Sequence, residues 1–138
     1  MKKFFMYCVA VLLVGLTFTS CEKKSDVDLL VGKWSVTSVS ITEDGRTYET
    51  KIEGIEYAYY TFASDGKYVK DVNVSDDRYT ENGTWVLDGK RLTLTIGEGM
   101  YEDNWYYIIQ ELTASQLTME ERTVSNKILS VLHLEKVK

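Results

Sequence analysis

From Leu30 onward, apolar and polar residues alternate in short runs rich in Val, Ile, Thr, Tyr and Trp. A period of two sends successive side chains to opposite faces of an extended strand, so such runs predict strands with one face on a core and one in water. The run Arg91-Leu92-Thr93-Leu94-Thr95-Ile96 is the plainest, with Leu92, Leu94 and Ile96 on one face and polar groups on the other. The pattern predicts strands at 32–42, 55–63, 67–74, 79–87, 90–97, 104–112, 117–124 and 128–137, with a short extended piece at 46–51.

Turn chemistry separates these runs. Asp-Gly recurs at Asp44-Gly45, Asp65-Gly66 and Asp88-Gly89, a pair that tolerates the positive φ angles of tight hairpins. Further turns are expected at Ser75-Asp76-Asp77, Thr113-Ala114-Ser115-Gln116 and Ser125-Asn126-Lys127. Connections this short imply antiparallel neighbours, and no segment fits the crossover helix that a parallel sheet needs. The chain has no Pro to interrupt a ladder. The expected fold is therefore all-β: an up-and-down antiparallel barrel of about eight strands, since closure removes the exposed edges. A sandwich is the architectural alternative.

The first twenty residues have a different pattern. Lys2 and Lys3 precede an apolar run from Phe4 to Leu16, followed by Thr17-Phe18-Thr19-Ser20-Cys21. Such a run is short for a membrane span and suits the core of an export signal. Phe18-Thr19-Ser20-Cys21 resembles the lipobox of bacterial lipoproteins, with small Ser20 before the cut and Phe18 in place of the usual aliphatic residue. The resemblance implies cleavage before Cys21 and lipid attachment to its thiol. Cys8 would leave with the signal, so Cys21 would be the only cysteine left and no disulfide could form. The expected organisation is a signal peptide at 1–20, a lipidated Cys and tether at 21–29, and a barrel domain at 30–138. The polar stretch from Glu22 to Asp26 reads as a flexible spacer.

Composition narrows the function. Among 138 residues, 44% are hydrophobic and 12% aromatic, enough to bury a core. The formal net charge is −5, and losing Lys2 and Lys3 would make the exported form more acidic still. A phosphate backbone needs a basic face, so no nucleic-acid partner is expected.

The order of motifs carries a second resemblance. Gly32-Lys33-Trp34 looks like the G-x-W that opens a lipocalin barrel, where the Trp packs across the closed end. Tyr60-Thr61-Phe62-Ala63-Ser64-Asp65-Gly66-Lys67-Tyr68, the segment from Gly83 to Leu92, and the segment from Glu111 to Leu117 follow in order. Together they resemble the lipocalin-like domains of small bacterial lipoproteins over about residues 29–138. The resemblance implies that Gly32 and Trp34 pack the barrel end, with Arg122 as partner of Trp34. It also implies outer-membrane anchoring, on the periplasmic face or the cell surface. Acidic residues after the lipidated Cys favour surface display in some such bacteria; here Lys23 and Lys24 dilute them, which favours the periplasmic face.

No constellation for catalysis is evident. The only histidine, His133, lies in the last strand without a nucleophile elbow to serve. The stretch from Asp71 to Asp77 starts like a calcium loop but has Asp76 where Gly is required and Asn82 at the closing Glu position. Neither an enzyme, a metal site nor a cofactor is expected. The aromatic residues are the informative feature: inward rings either plug a small barrel or line a cup. Alternation points Tyr60, Phe62, Tyr68, Trp85 and Leu94 inward, as candidate walls for a small apolar or amphipathic ligand. The alternative function is an interaction or inhibitor module that uses the barrel loops.

Overall fold

The computed structural model describes residues 24–50, 55–97 and 99–138. The expected signal peptide, Cys21 and the start of the tether lie outside the described residues.

One helix, α1 (Asp26–Leu30), precedes nine strands: β1 (Gly32–Glu43), β2 (Arg46–Thr50), β3 (Ile55–Phe62), β4 (Lys67–Val74), β5 (Asp77–Asp88), β6 (Arg91–Ile96), β7 (Asp103–Leu112), β8 (Gln116–Arg122) and β9 (Ile128–Lys136). All pairings are antiparallel between sequence neighbours, except that β1 also pairs with β3 and with β9. The β1–β9 ladder, from Trp34↔Lys136 to Ile41↔Ser130, closes the sheet into a barrel. β2 and β3 share one edge of β1: Gly32–Ser35 pairs with β3 and Val39–Glu43 with β2. Nine strands thus occupy eight positions around the barrel.

The expected strands recur with ends shifted by at most two residues. The β1–β2 and β4–β5 connections are tight two-residue turns with positive φ at both positions, at Asp44-Gly45 (48° and 74°) and Ser75-Asp76 (44° and 73°). The expected turn at Ser75-Asp76-Asp77 is thereby one residue shorter, and β5 starts at Asp77.

Helix α1 was not expected from the strand pattern. Ser25 caps it, accepting from the Asp28 N–H (3.2 Å) and donating to the Asp28 carboxylate (2.8 Å). Its last carbonyls would otherwise lack partners. The Trp34 indole N–H donates to the Leu30 carbonyl (2.8 Å), and the Lys136 ammonium donates to the Leu29 carbonyl (2.8 Å). Leu30 and Trp34 are fully buried. The helix is thus the lid of one barrel end, and it overlaps the expected tether at 21–29.

The core lies at that end. Leu30, Trp34, Phe62, Tyr68, Trp85, Leu92, Leu94, Ile109, Leu117, Met119 and Leu134 belong to one buried cluster that continues into Tyr60, Tyr107 and Leu132. Gly83 is part of this packing: a Cβ there would collide with the Thr95 carbonyl oxygen and approach the Tyr68 ring to 2.7 Å. Arg122 does not partner Trp34. Leu117 and Met119 are the β8 residues in the core, and Arg122 lies three residues beyond Met119, roughly 10 Å at strand rise. Arg122 instead bonds Glu120 (2.6 and 3.1 Å) and Asn126. Lys136 takes the expected place, with Nζ 4.9 Å from the Trp34 ring centre. Residues 24–138 close the barrel and contain the whole core cluster, the condition for folding as a unit.

Candidate functional site

The other half of the barrel is a cup of about 800 Å³. Its mouth lies among the β1–β2, β4–β5, β6–β7 and β8–β9 connections, opposite the lid. Apolar wall comes from Val36, Val39, Ile55, Ala58, Val72 and Leu132. Val74 and Tyr79, respectively 39% and 52% exposed, mark the rim.

The strand register sets a polar floor. Tyr60 of β3, Lys70 of β4 and Glu81 of β5 are consecutive cross-strand partners. On the opposite wall Tyr107 of β7, Glu121 of β8 and Ser130 of β9 form a second row. Both Glu81 oxygens are occupied: Tyr68 donates to one (2.7 Å) and Tyr79 to the other (2.5 Å). Ser130 donates to Glu121 (3.0 Å). The Lys70 ammonium lies 5.5 Å from the Tyr60 ring centre and 5.8 Å from that of Trp105. The Trp105 indole N–H is buried without an acceptor among the described residues.

Proton affinities follow from this packing. Burial alone would lower the Lys70 ammonium, but Tyr60 and Glu81 outweigh it and the net shift is upward, so Lys70 is charged at neutral pH. Burial first, and then the Glu81 carboxylate, raise the Tyr68 phenol. Burial chiefly raises Tyr107 well above the ordinary phenol range, with Tyr60 contributing. Tyr79 is raised first by its hydrogen bond to Glu81. The cup therefore offers the Lys70 ammonium, the Glu121 carboxyl group held by Ser130 and the uncharged phenols of Tyr79 and Tyr107, with Glu81 bonded between Tyr68 and Tyr79 beside it.

Of the five expected wall residues, all point inward but only Tyr60 lines the cup. Phe62, Tyr68, Trp85 and Leu94 belong to the packed half, at 1%, 1%, 7% and 1% exposure. Trp85 donates to the Ala63 carbonyl (2.9 Å) and meets Phe62 edge-on at 5.8 Å. The reason is axial position: alternation fixes the face of a strand, not how far along the barrel a residue lies. Tyr68 donates its hydroxyl to Glu81, the strand neighbour of the cup residue Lys70. Lys70, Glu81, Trp105, Tyr107 and Glu121 were missed, although Lys70 shares a face with Tyr68, and Glu81 with Trp85. A charge on an inward face was the available signal. His133 faces outward, 3.2 Å from the Thr118 hydroxyl. Asp71, the first residue of the calcium-like stretch, pairs with Arg78 at 2.8 Å.

A family model described as a lipocalin-like domain matches residues 30–119. The chain belongs to the lipocalin-like domain family. The matched segment runs from the lid residue Leu30 to Met119 in β8, so it includes most of the lipocalin-like barrel. Among solved structures, a lipocalin-like protein from Bacteroides uniformis is similar at 15% identity and TM-score 0.58, covering 79% of this chain and 99% of that one. An uncharacterized protein from Bacteroides eggerthii is similar at 17% identity and TM-score 0.53, covering 78% of this chain and 99% of the other. At these identities the likeness concerns the fold. No curated protein matches the chain.

Proposed function

We propose that this lipocalin-like protein is a non-catalytic carrier or sensor that holds a small amphipathic molecule in the open half of its barrel. It acts from the outer membrane, held by a lipid on Cys21, on the periplasmic face or at the surface. The observation that carries the binding role is the cup itself. Its volume, about 800 Å³, lies within the usual range for small-molecule sites, and apolar walls with a few convergent polar groups match their usual lining. The anchoring role rests on the signal-like amino terminus that ends in Cys21.

A screen of residues 22–138 against fatty acids, bile-acid-like and haem-like compounds tests the binding role. A ligand at a hundredfold its Kd stabilises the fold by about 2.7 kcal/mol, so melting temperature and Trp emission should both respond. No response to any compound counts against the carrier. Radiolabelled fatty acid should label the wild-type chain in cells and not Cys21→Ala; equal labelling counts against the anchor. A second reading, a module that docks on another protein, is favoured by the exposure of Met100 (88%), Tyr101 (84%) and Val124 (90%) in the loops around the mouth.

A further inference from the structure

We infer that the cup receives an amphipath with an anionic head, a carboxylate, seated on the polar floor beside Lys70, with its tail directed to the mouth. The inference rests on the carrier reading and specifies the ligand class.

Axial order comes first. Tyr60 (3% exposed), Tyr107 (2%) and Glu81 (7%) are buried at the floor, whereas Val74 and Tyr79 are exposed at the rim. Tyr60 and Lys70 are therefore deep, with Ala58 and Val72 on their mouth side along β3 and β4, while Glu81 is also held from the rim by Tyr79. An amphipath with its head at the mouth would leave the floor groups facing hydrocarbon, at the cost of unmade hydrogen bonds. The reverse orientation satisfies both ends.

The sign of the head follows from which floor groups are occupied. Tyr60, Lys70, Tyr79, Glu81, Tyr107 and Glu121 are the titratable residues that line the cup or its floor. Glu81 accepts at both oxygens, and Glu121 accepts from Ser130. Lys70 differs. It forms no ion pair within 4.0 Å among the described residues, although Glu81 acts on it electrostatically from the neighbouring strand. Its ammonium lies against the Tyr60 and Trp105 rings and has three protons to donate. The buried Trp105 indole N–H in the same wall also lacks an acceptor. The Lys70 ammonium lies 5.8 Å from the Trp105 ring centre, so the two donors share one wall of the cup and call for an acceptor-rich head. A cationic head would place like charge beside Lys70.

The test titrates residues 22–138 with dodecanoate, dodecanol and dodecyltrimethylammonium, each below its micellar concentration, and reads Trp emission and melting temperature. Dodecanoate should bind tightest, by about tenfold or more over dodecanol, the usual value of a charge-assisted hydrogen bond. Lys70→Gln should abolish the preference, bringing dodecanoate to the affinity of dodecanol, while Lys70→Arg should retain it. Equal binding of all three head groups in the wild type overturns the anionic-head assignment while the carrier reading stands. Binding of none overturns both. The comparison of head groups in the wild-type protein decides the matter even if a Lys70 variant fails to fold. Dodecanoate analogues with a quencher near the head or at the tail test orientation. Stronger quenching of Trp emission by the tail label at Trp34 and Trp85, isolated by Trp105→Phe, would overturn the head-down pose.

Discussion

Replacing Trp34 by Ala should destabilise the protein more than most single changes, because the indole does two jobs. Its ring is fully buried in the lid-end core, and its N–H satisfies the Leu30 carbonyl at the end of α1. Removing a buried Trp side chain costs about 3–5 kcal/mol in transfer and cavity terms. With a urea slope of about 2 kcal/mol/M, the midpoint should fall by roughly 2 M. Trp34→Phe separates the two jobs. It retains much of the apolar contact but leaves the carbonyl unpaired, for an expected loss of about 1–3 kcal/mol. Equilibrium urea unfolding followed by far-ultraviolet dichroism measures both variants. A Trp34→Ala loss under about 1 kcal/mol, or a Trp34→Phe protein as stable as wild type, would refute the account of the lid.

Gly83→Ala should destabilise by roughly 2–3 kcal/mol, because the added methyl meets the Thr95 backbone oxygen rather than a side chain that can move; thermal melts check this, and an unchanged melting point counts against the packing at β5–β6. Stability should hold from neutral pH up to about pH 10 and fall above it. The sign follows from Tyr68 and Tyr107, whose folded proton affinities exceed the unfolded value, so the folded state holds protons that the unfolded state releases as pH rises. Tyr68→Phe should be less stable at neutral pH, because Glu81 loses a donor, yet should lose stability less steeply above pH 10; the same steepness as wild type would contradict the assignment.

Most of the fold was legible because its determinants are local. Alternation set the strands, and two-residue turns such as Asp44-Gly45 set antiparallel order and register. Closure followed from the number of strands. Helix α1 escaped because five residues carry no helical period; its signal was the capping pattern Ser25-Asp26-Val27-Asp28, and its stability depends on Trp34 and Lys136, the latter more than a hundred residues away. The same distance effect misassigned the partner of Trp34, since β8 delivers Arg122 to the mouth end while β9 delivers Lys136 to the lid. The site was half legible. Inward faces for Tyr60, Phe62, Tyr68, Trp85 and Leu94 were readable from alternation, but the division between plug and cup is a matter of height along the barrel axis. That height depends on strand stagger, which a strand's own sequence does not encode. Lys70 and Glu81 drew no reading, because charges usually lie at the surface; their inward faces and pairing across β4 and β5 place them at the cup.

The central claim is that a hollow cup in the mouth half of the barrel holds ligand. Ala58 lines that cup, so Ala58→Trp should fill it without touching the lid-end core. Titration with an environment-sensitive amphipathic anilinonaphthalene sulfonate should give one saturable site in residues 22–138. In Ala58→Trp that site should disappear while the cooperative unfolding transition remains. Uptake of the probe by the plugged variant with undiminished affinity and stoichiometry, or no uptake by the wild-type barrel, would contradict the account.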